Sequence, residues 1–217
     1  MPEPLLIASS PEAPPSVQAT ADLLAGVGVR WWLSGGAALD HWLGAPIRGR
    51  ANTDVSILPG DVARLVDALP EGYSVWAPEG EDSVIALADA VPDADLQPLR
   101  IRDDRAGTWV LQVNIEDGTE KVWMYRRDPR LQLPWDRAVL DVGGIPTGAP
   151  EVQLTWKALR PRPEDDADKA AALPALTDDA RAWFERAILT VHPHSTWSIH
   201  VRSPFAPAKA SWNRRTS

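Results

Sequence analysis

At 217 residues, with 44% hydrophobic and 24% charged side chains, the chain is long enough for one generous domain, or a domain with a helical appendage, around a real core. A net charge of −8, from 30 acidic and 22 basic residues, argues against binding to a phosphate backbone, so no nucleic-acid partner is expected and a small-molecule ligand, including a cationic one, is compatible. With no cysteine there is no disulfide, thiolate nucleophile or zinc–thiolate site; no apolar run reaches the roughly 20 residues that span a bilayer, so no membrane partner is expected and a cytoplasmic location is.

In chain order, residues 1–15 are proline-rich and lack a basic segment followed by an apolar one, so they read as a loose arm and not a leader. Ser16 is a candidate N-cap for a helix that Gly26 and Gly28 end, with Val17, Leu23, Leu24 and Val27 as its buried stripe. Arg30–Leu33 is a short strand, Ser34-Gly35-Gly36 a turn, and Ala37–Leu43 a second helix. A loop with Arg48 and Arg50 leads to a β-branched strand, Thr53–Leu58, and then to a helix from Gly60 that Pro70 stops. Strands are expected at Tyr73–Trp76, Leu99–Arg102, Thr108–Ile115 and Lys121–Arg126, with Asp117-Gly118 as a hairpin turn; only Ser83–Ala90 in this middle region has a helical period. From Pro150, a good first helical residue, the pattern turns helical: Glu151–Arg160, Glu164–Leu173 and, capped by Thr177, Ala180–Leu189. The stretch after His192 reads as irregular, and His192 and His194 as a flexible pair without metal-site spacing. The fold class is therefore α/β (α+β), a mixed sheet with helices over residues 16–148, a helical part over 149–197 and an irregular tail over 198–217. Eleven tryptophans, against two tyrosines and two phenylalanines, read mainly as packing residues, a minority of them free to line an aromatic pocket.

A strand entering Ser34-Gly35-Gly36 and then a helix can cradle a phosphate, because glycine lets the backbone approach an anion and the helix start offers unpaired N–H groups. The same dipeptide also serves many strand-to-helix turns for steric reasons alone. Some eighteen residues later, Asp54 heads a strand and Ser56 follows on the same face. Two carboxylates at that spacing would grip a pair of divalent metals about 3.5–4 Å apart. Here only one of the two is an acid.

The stretch from Arg30 to Leu58, RWWLSGGAALDHWLGAPIRGRANTDVSIL, resembles the opening motif of aminoglycoside-2''-adenylyltransferase-like proteins: a strand, Gly-Gly-x-Ala-Leu-Asp, an arginine-containing loop, then Asp-x-Asp. VWMYRRDPRLQLPWDRAV from Val122, GIPTGAPEVQLTWKALRPRPEDDAD from Gly144 and HPHSTW from His192 are similar to later family segments, in the same order. The likeness spans about residues 30–197 and is poor from Pro78 to Arg105. It implies a minimal nucleotidyltransferase sheet followed by a small helical C-terminal part. It also implies a nucleoside triphosphate and Mg²⁺ as cofactors, with Ser34, Gly35, Gly36, Arg50 and Lys157 at the nucleotide phosphates. Asp54 would be the metal ligand, Asp54, Ser56 and Gln112 the catalytic positions, and Asp165 and Asp168 the binding site of a cationic acceptor. Each has a plainer alternative, a solvated helical lysine for Lys157 and a surface i, i+3 pair for the two aspartates.

The departures fall at the chemistry. The second acid is Ser56, and the best match to the third is Gln112; Glu116, on the same side roughly 13 Å further along the strand, is a substitute by residue type only. Serine and glutamine donate hydrogen bonds but take up no proton near neutral pH. Magnesium can be held by one or two carboxylates plus substrate phosphates, so Asp54 suffices for one ion and not for two. Three functions follow: a binding protein with weakened or lost transfer, an active Mg²⁺-dependent transferase of nucleoside monophosphate to a small-molecule hydroxyl, or a repurposed metal-independent enzyme.

Overall fold

The computed structural model describes residues 5–7, 13–91 and 96–202. In chain order these form β1 (Leu5–Leu6), α1 (Val17–Leu24), β2 (Trp31–Ser34), α2 (Gly35–Leu43), β3 (Thr53–Ile57), α3 (Val62–Ala68), β4 (Tyr73–Pro78) and β5 (Ser83–Ala86). Then come β6 (Leu99–Asp103), β7 (Thr108–Ile115), β8 (Asp117–Gly118), β9 (Val122–Met124), β10 (Gln132–Pro134), α4 (Trp135–Ala138), β11 (Val139–Val142) and β12 (Ile145–Gly148). Four helices follow: α5 (Pro150–Lys157), α6 (Pro163–Ala172), α7 (Asp178–Val191) and α8 (Thr196–Arg202). The class is α/β.

The main sheet has nine strands in the order β1-β5-β4-β6-β7-β3-β2-β12-β11. It is mixed: β3 runs parallel to β7, and β12 parallel to β2, while the other pairs are antiparallel. Alternation gives it two unlike faces. Leu33, Val55, Leu111, Val113, Leu99, Ile101, Val75 and Ala77 point to one side, where Leu24 of α1 and Leu65 of α3 seal an apolar core. Full burial of each of the larger aliphatic side chains is worth about 1.5–3 kcal/mol. The intervening residues, Ser34, Asp54, Ser56, Gln112, Asn114 and Arg100, share the opposite face, and the candidate site lies there.

Capping follows the sequence closely. Ser16 Oγ accepts from Ala19 N at the start of α1, Thr177 Oγ1 accepts from Ala180 N at the start of α7, and Pro150 occupies a first-turn position in α5. A hairpin not foreseen from sequence, β11–β12, turns on Gly143 and Gly144, both with positive φ (61° and 84°).

Four expectations are corrected. Ser83–Ala90 is not a helix: Ser83–Ala86 is β5, paired with β4 and with β1, and only Leu87–Asp89 makes a short 3-10 turn. The arm is not wholly loose, because Leu5 and Leu6 pair with Val84 and Ser83, while residues 1–4 and 8–12 lie outside the described residues. Asp117-Gly118 is a strand pairing with β9, and the turn is shifted on to Thr119, whose Oγ1 accepts from Lys121 N and Val122 N. The stretch after His192 includes α8, which buries Trp197; His192 is itself buried, its Nε2 2.8 Å from the Tyr125 hydroxyl. Of the expected irregular tail, residues 203–217 lie outside the described residues.

Candidate functional site

The glycine turn is shaped by contacts that leave no space for side chains. Gly35 has φ +59°, and a Cβ there would overlap the Asp54 carboxylate. A Cβ on Gly36 would overlap the Arg50 guanidinium. Both glycines are therefore required by close approach, Gly35 by backbone conformation as well. The cradle is partly occupied by the protein: Gly35 N–H donates to Gln153 Oε1 of α5 at 2.7 Å. Gln153 is buried, and its Nε2 has no hydrogen-bond partner among the described residues. Ser34, buried at the end of β2, accepts from Asn114 Nδ2 at 3.3 Å.

Strand register places the polar residues in a row. Ser34 is opposite Asp54, Asp54 opposite Gln112, Gln112 opposite Arg100, and Arg100 opposite Trp76, so one line across β2, β3, β7, β6 and β4 carries one carboxylate and one guanidinium. Asn52 Nδ2 donates to Asp54 Oδ1 at 2.6 Å. Desolvation lifts the Asp54 pKa from 3.8 to about 6, against the pull of Lys157 and Arg100. Burial lowers that of Arg100, with Asp54 opposing.

Ser56 is fully buried, and its hydroxyl donates to Glu116 Oε1 at 2.6 Å. Glu116 follows directly on β7, fixed by its N–H to Ile57 O at 3.0 Å. The indole N–H groups of Trp123 and Trp156 donate to Glu116 Oε2. Burial raises the Glu116 pKa while these donors oppose the rise. Glu116 thus sits in a cage of neutral donors.

Asp165 and Asp168 are buried on the inner side of α6 and saturated with cations. Asp168 is bound by both Arg48 Nε and Nη2 (3.2 and 3.1 Å), by Arg50 Nη1 (2.9 Å) and by Lys157 Nζ (3.0 Å). Asp165 accepts from Lys157 Nζ at 2.7 Å and from Arg162 N and Nε at 3.0 and 3.2 Å. Arg50 is also held by both oxygens of Asp40, at 2.7 and 2.6 Å. Although burial pushes both carboxyls of α6 upward, the hydrogen bonds of Arg162 and Lys157 hold Asp165 down at about 2, and those of Arg48 and Lys157 hold Asp168 below its usual range.

Beside the turn is a cavity of about 330 Å³. Ser34, Gly35, Asn114, Glu116, Gln153 and Lys157 line it, with Trp156 as an aromatic wall and Arg127 and Gln97-Pro98 at its side. Sequence reasoning passed over Asn114, Gln153 and Arg100. Gln153 lay in a quoted motif and alternation from Gln112 along β7 points to Asn114, whereas Arg100 is aligned with them only by sheet register.

The chemistry of the donor set does not fit two metals. The row holds one carboxylate, Ser56 and Gln112 bring none, and among the described residues no group of three or more His, Asp or Glu side chains is placed to hold a metal ion.

Fold and site thus define an α/β protein with a mixed sheet, a glycine turn at a helix start and a polar cavity beside it. Among the solved structures similar to it are the following three. One is a crystal structure of ANT(2'')-Ia in complex with adenylyl-2''-tobramycin, 14% identical with a TM-score of 0.46, over 79% of this chain and 94% of that one. Another is a solution structure of the antibiotic-resistance factor ANT(2'')-Ia, 14% identical, TM-score 0.40, over 88% and 87%. The third is an antigenic nucleotidyltransferase-like protein from Paracoccidioides brasiliensis, 15% identical, TM-score 0.41, over 86% and 90%. No family model matches the sequence, and no curated protein matches it significantly.

Proposed function

We propose that this chain is a nucleotidyltransferase-fold protein that keeps a cleft for a nucleotide or other small molecule and has lost two-metal nucleotidyl transfer. The observation that carries this reading is the row Ser34–Asp54–Gln112–Arg100, in which a single carboxylate stands where the chemistry needs two or three. Asp54 can hold one Mg²⁺ together with substrate phosphates; a second ion would find a hydroxyl, an amide and a guanidinium. Among the described residues no carboxylate near Asp54 is free to activate an attacking hydroxyl, since Glu116 is caged by its donors and Asp165 and Asp168 are bound by cations. The cleft itself is retained. The glycine turn, the resemblance of the segments around it to aminoglycoside-2''-adenylyltransferases and a 330 Å³ cavity of ligand-binding size support that half of the reading.

Calorimetric titration with ATP, GTP, CTP and UTP, with and without Mg²⁺, combined with a pyrophosphate-release assay, tests both halves. The expected result is saturable binding of at least one nucleotide without pyrophosphate release. Release that depends on Mg²⁺ would overturn the loss of transfer. No heat with any nucleotide would overturn the nucleotide cleft.

A further inference from the structure

We infer that the half-buried polar sheet face that carries Asp54 and Arg100 is a metal-independent subsite for the anionic group of a ring-bearing small molecule, with Arg100 as charge partner and Trp76 as ring platform. This rests on the reading above for the existence of the cleft, and not for the nucleotide.

The first observation is the state of Arg100. It is half-buried in the same row as Asp54, Gln112 and Trp76, on the face away from the aliphatic core. Among the described residues it makes no hydrogen bond and no ion pair, whereas Arg48, Arg50, Lys157 and Arg162 each hold at least one carboxylate. Asp54 is two strands away, about 10 Å at the usual spacing, and attracts Arg100 without pairing with it. A half-desolvated guanidinium without a partner is costly, and an anion placed over Gln112 would supply the missing charge-assisted bonds.

The second is the aromatic surround. A register shift between Ile101 and Arg102 sets Arg102 opposite Trp109, bringing that indole onto the face that carries Arg100. Trp76 and Trp109 meet edge to face with centroids 6.0 Å apart, and the Arg102 guanidinium lies over Trp109. Both tryptophans are half-buried, so each keeps ring surface in reach of a ligand.

The third decides the sign of the ligand. A polycation needs open carboxylates, and Asp165 and Asp168 are spent on Arg48, Arg50, Lys157 and Arg162. Among the described residues the row keeps two charges outside any ion pair, Asp54, bonded to the neutral Asn52 amide, and Arg100, two strands away beside Trp76, where an anion is the complement. Arg100 stands in register with Gln112 and Asp54, so an anion bound there is met by the protein's own cation.

The test is calorimetry on the full chain in EDTA with phenyl phosphate, inorganic phosphate and tobramycin, repeated for Arg100→Gln, Arg100→Lys and Trp76→Leu. Phenyl phosphate is expected to bind without metal and more tightly than inorganic phosphate, and tobramycin not to bind. Arg100→Gln should weaken phenyl phosphate about 10- to 100-fold, the loss of a charge-assisted bond, with Arg100→Lys intermediate. Trp76→Leu should remove the preference for the ring and spare inorganic phosphate. Binding that requires Mg²⁺, or is unchanged in an Arg100→Gln protein that melts normally, overturns the inference, as does tighter binding of tobramycin or none of phenyl phosphate. An ATP arm separates the two readings. Mg²⁺-dependent ATP binding that ignores Arg100 sinks the subsite and keeps the nucleotide cleft; Arg100-dependent phenyl phosphate binding without affinity for any nucleotide does the reverse.

Discussion

Replacing Asp168 by asparagine asks whether this carboxylate serves the fold or a ligand. Its side chain is fully buried and accepts from Arg48, Arg50 and Lys157 at 2.9–3.2 Å. Asparagine keeps the shape and loses the charge, leaving three cations around a neutral amide. Removing one partner from a buried ion pair costs about 3–5 kcal/mol. Asp40 still grips Arg50 through both oxygens and Asp165 still holds Lys157, so the lower end of that range, about 3 kcal/mol, is expected. In a chain of this size that corresponds to a fall in Tm of about 6–12 °C. Urea unfolding followed by tryptophan fluorescence measures it, with Glu164→Gln as the control, because its exposed pair with Arg162 is worth less than about 1 kcal/mol. A loss below about 1 kcal/mol in Asp168→Asn, together with a large loss of ligand affinity, would refute the reasoning and return this acid to the binding site.

Two other perturbations follow from the same geometry. Ser56→Asp would press a second carboxylate against Glu116, inside a cage whose present hydroxyl–carboxylate distance is 2.6 Å; a loss of about 3 kcal/mol is expected, relieved by adding Glu116→Gln, and an unchanged melting curve for the single variant would contradict the cage. Introducing acids at Ser56 and Gln112 together is therefore expected to give no Mg²⁺-dependent pyrophosphate release while Glu116 remains. For Asp54, a folded pKa of about 6 against 3.8 means that the native state binds the proton more tightly than the unfolded chain, so its contribution is full below about pH 4 and is lost as pH rises through 6. Asp54→Asn should match the wild type in stability near pH 4 and exceed it at pH 7 by about 1–3 kcal/mol, the upper figure discounted for partial exposure. Parallel stability–pH curves for the two proteins would remove the assigned shift.

The sequence carried more of the fold than of the site's electrostatics, and particular residues show why. Caps at Ser16 and Thr177, the turn glycines and the alternation of Thr53–Leu58 and Thr108–Ile115 are local signals, written within a few residues of where they act. Ser83–Ala90 misled because a short apolar run fits either period, and pairing with β4 and β1 decided for a strand. Asp117-Gly118 is a sound turn dipeptide, yet the Glu116 N–H bond to Ile57 O and the Thr119 hydroxyl draw the reversal further along. Asp165 and Asp168 could be seen to share a helix face. Their arginine partners at 48 and 50 could not be seen, since nothing in a helical period reports a residue more than a hundred positions away. Arg100 was hidden for the same reason: its place beside Asp54 is fixed by two strand registers and not by its neighbours in sequence.

The bond from Gly35 to Gln153 joins residues 118 positions apart, as does the pair Arg50–Asp168, and Leu33 lies opposite Thr147. The glycine turn is thus written early in the chain and braced late. On a ribosome adding about 5–20 residues per second, it waits about 6–24 s for its brace. During that interval β2 has an open flank and Arg50 lacks one of its two acids. A chain cut near residue 150 would hold the whole cradle in its sequence and still be without the glutamine that shapes it.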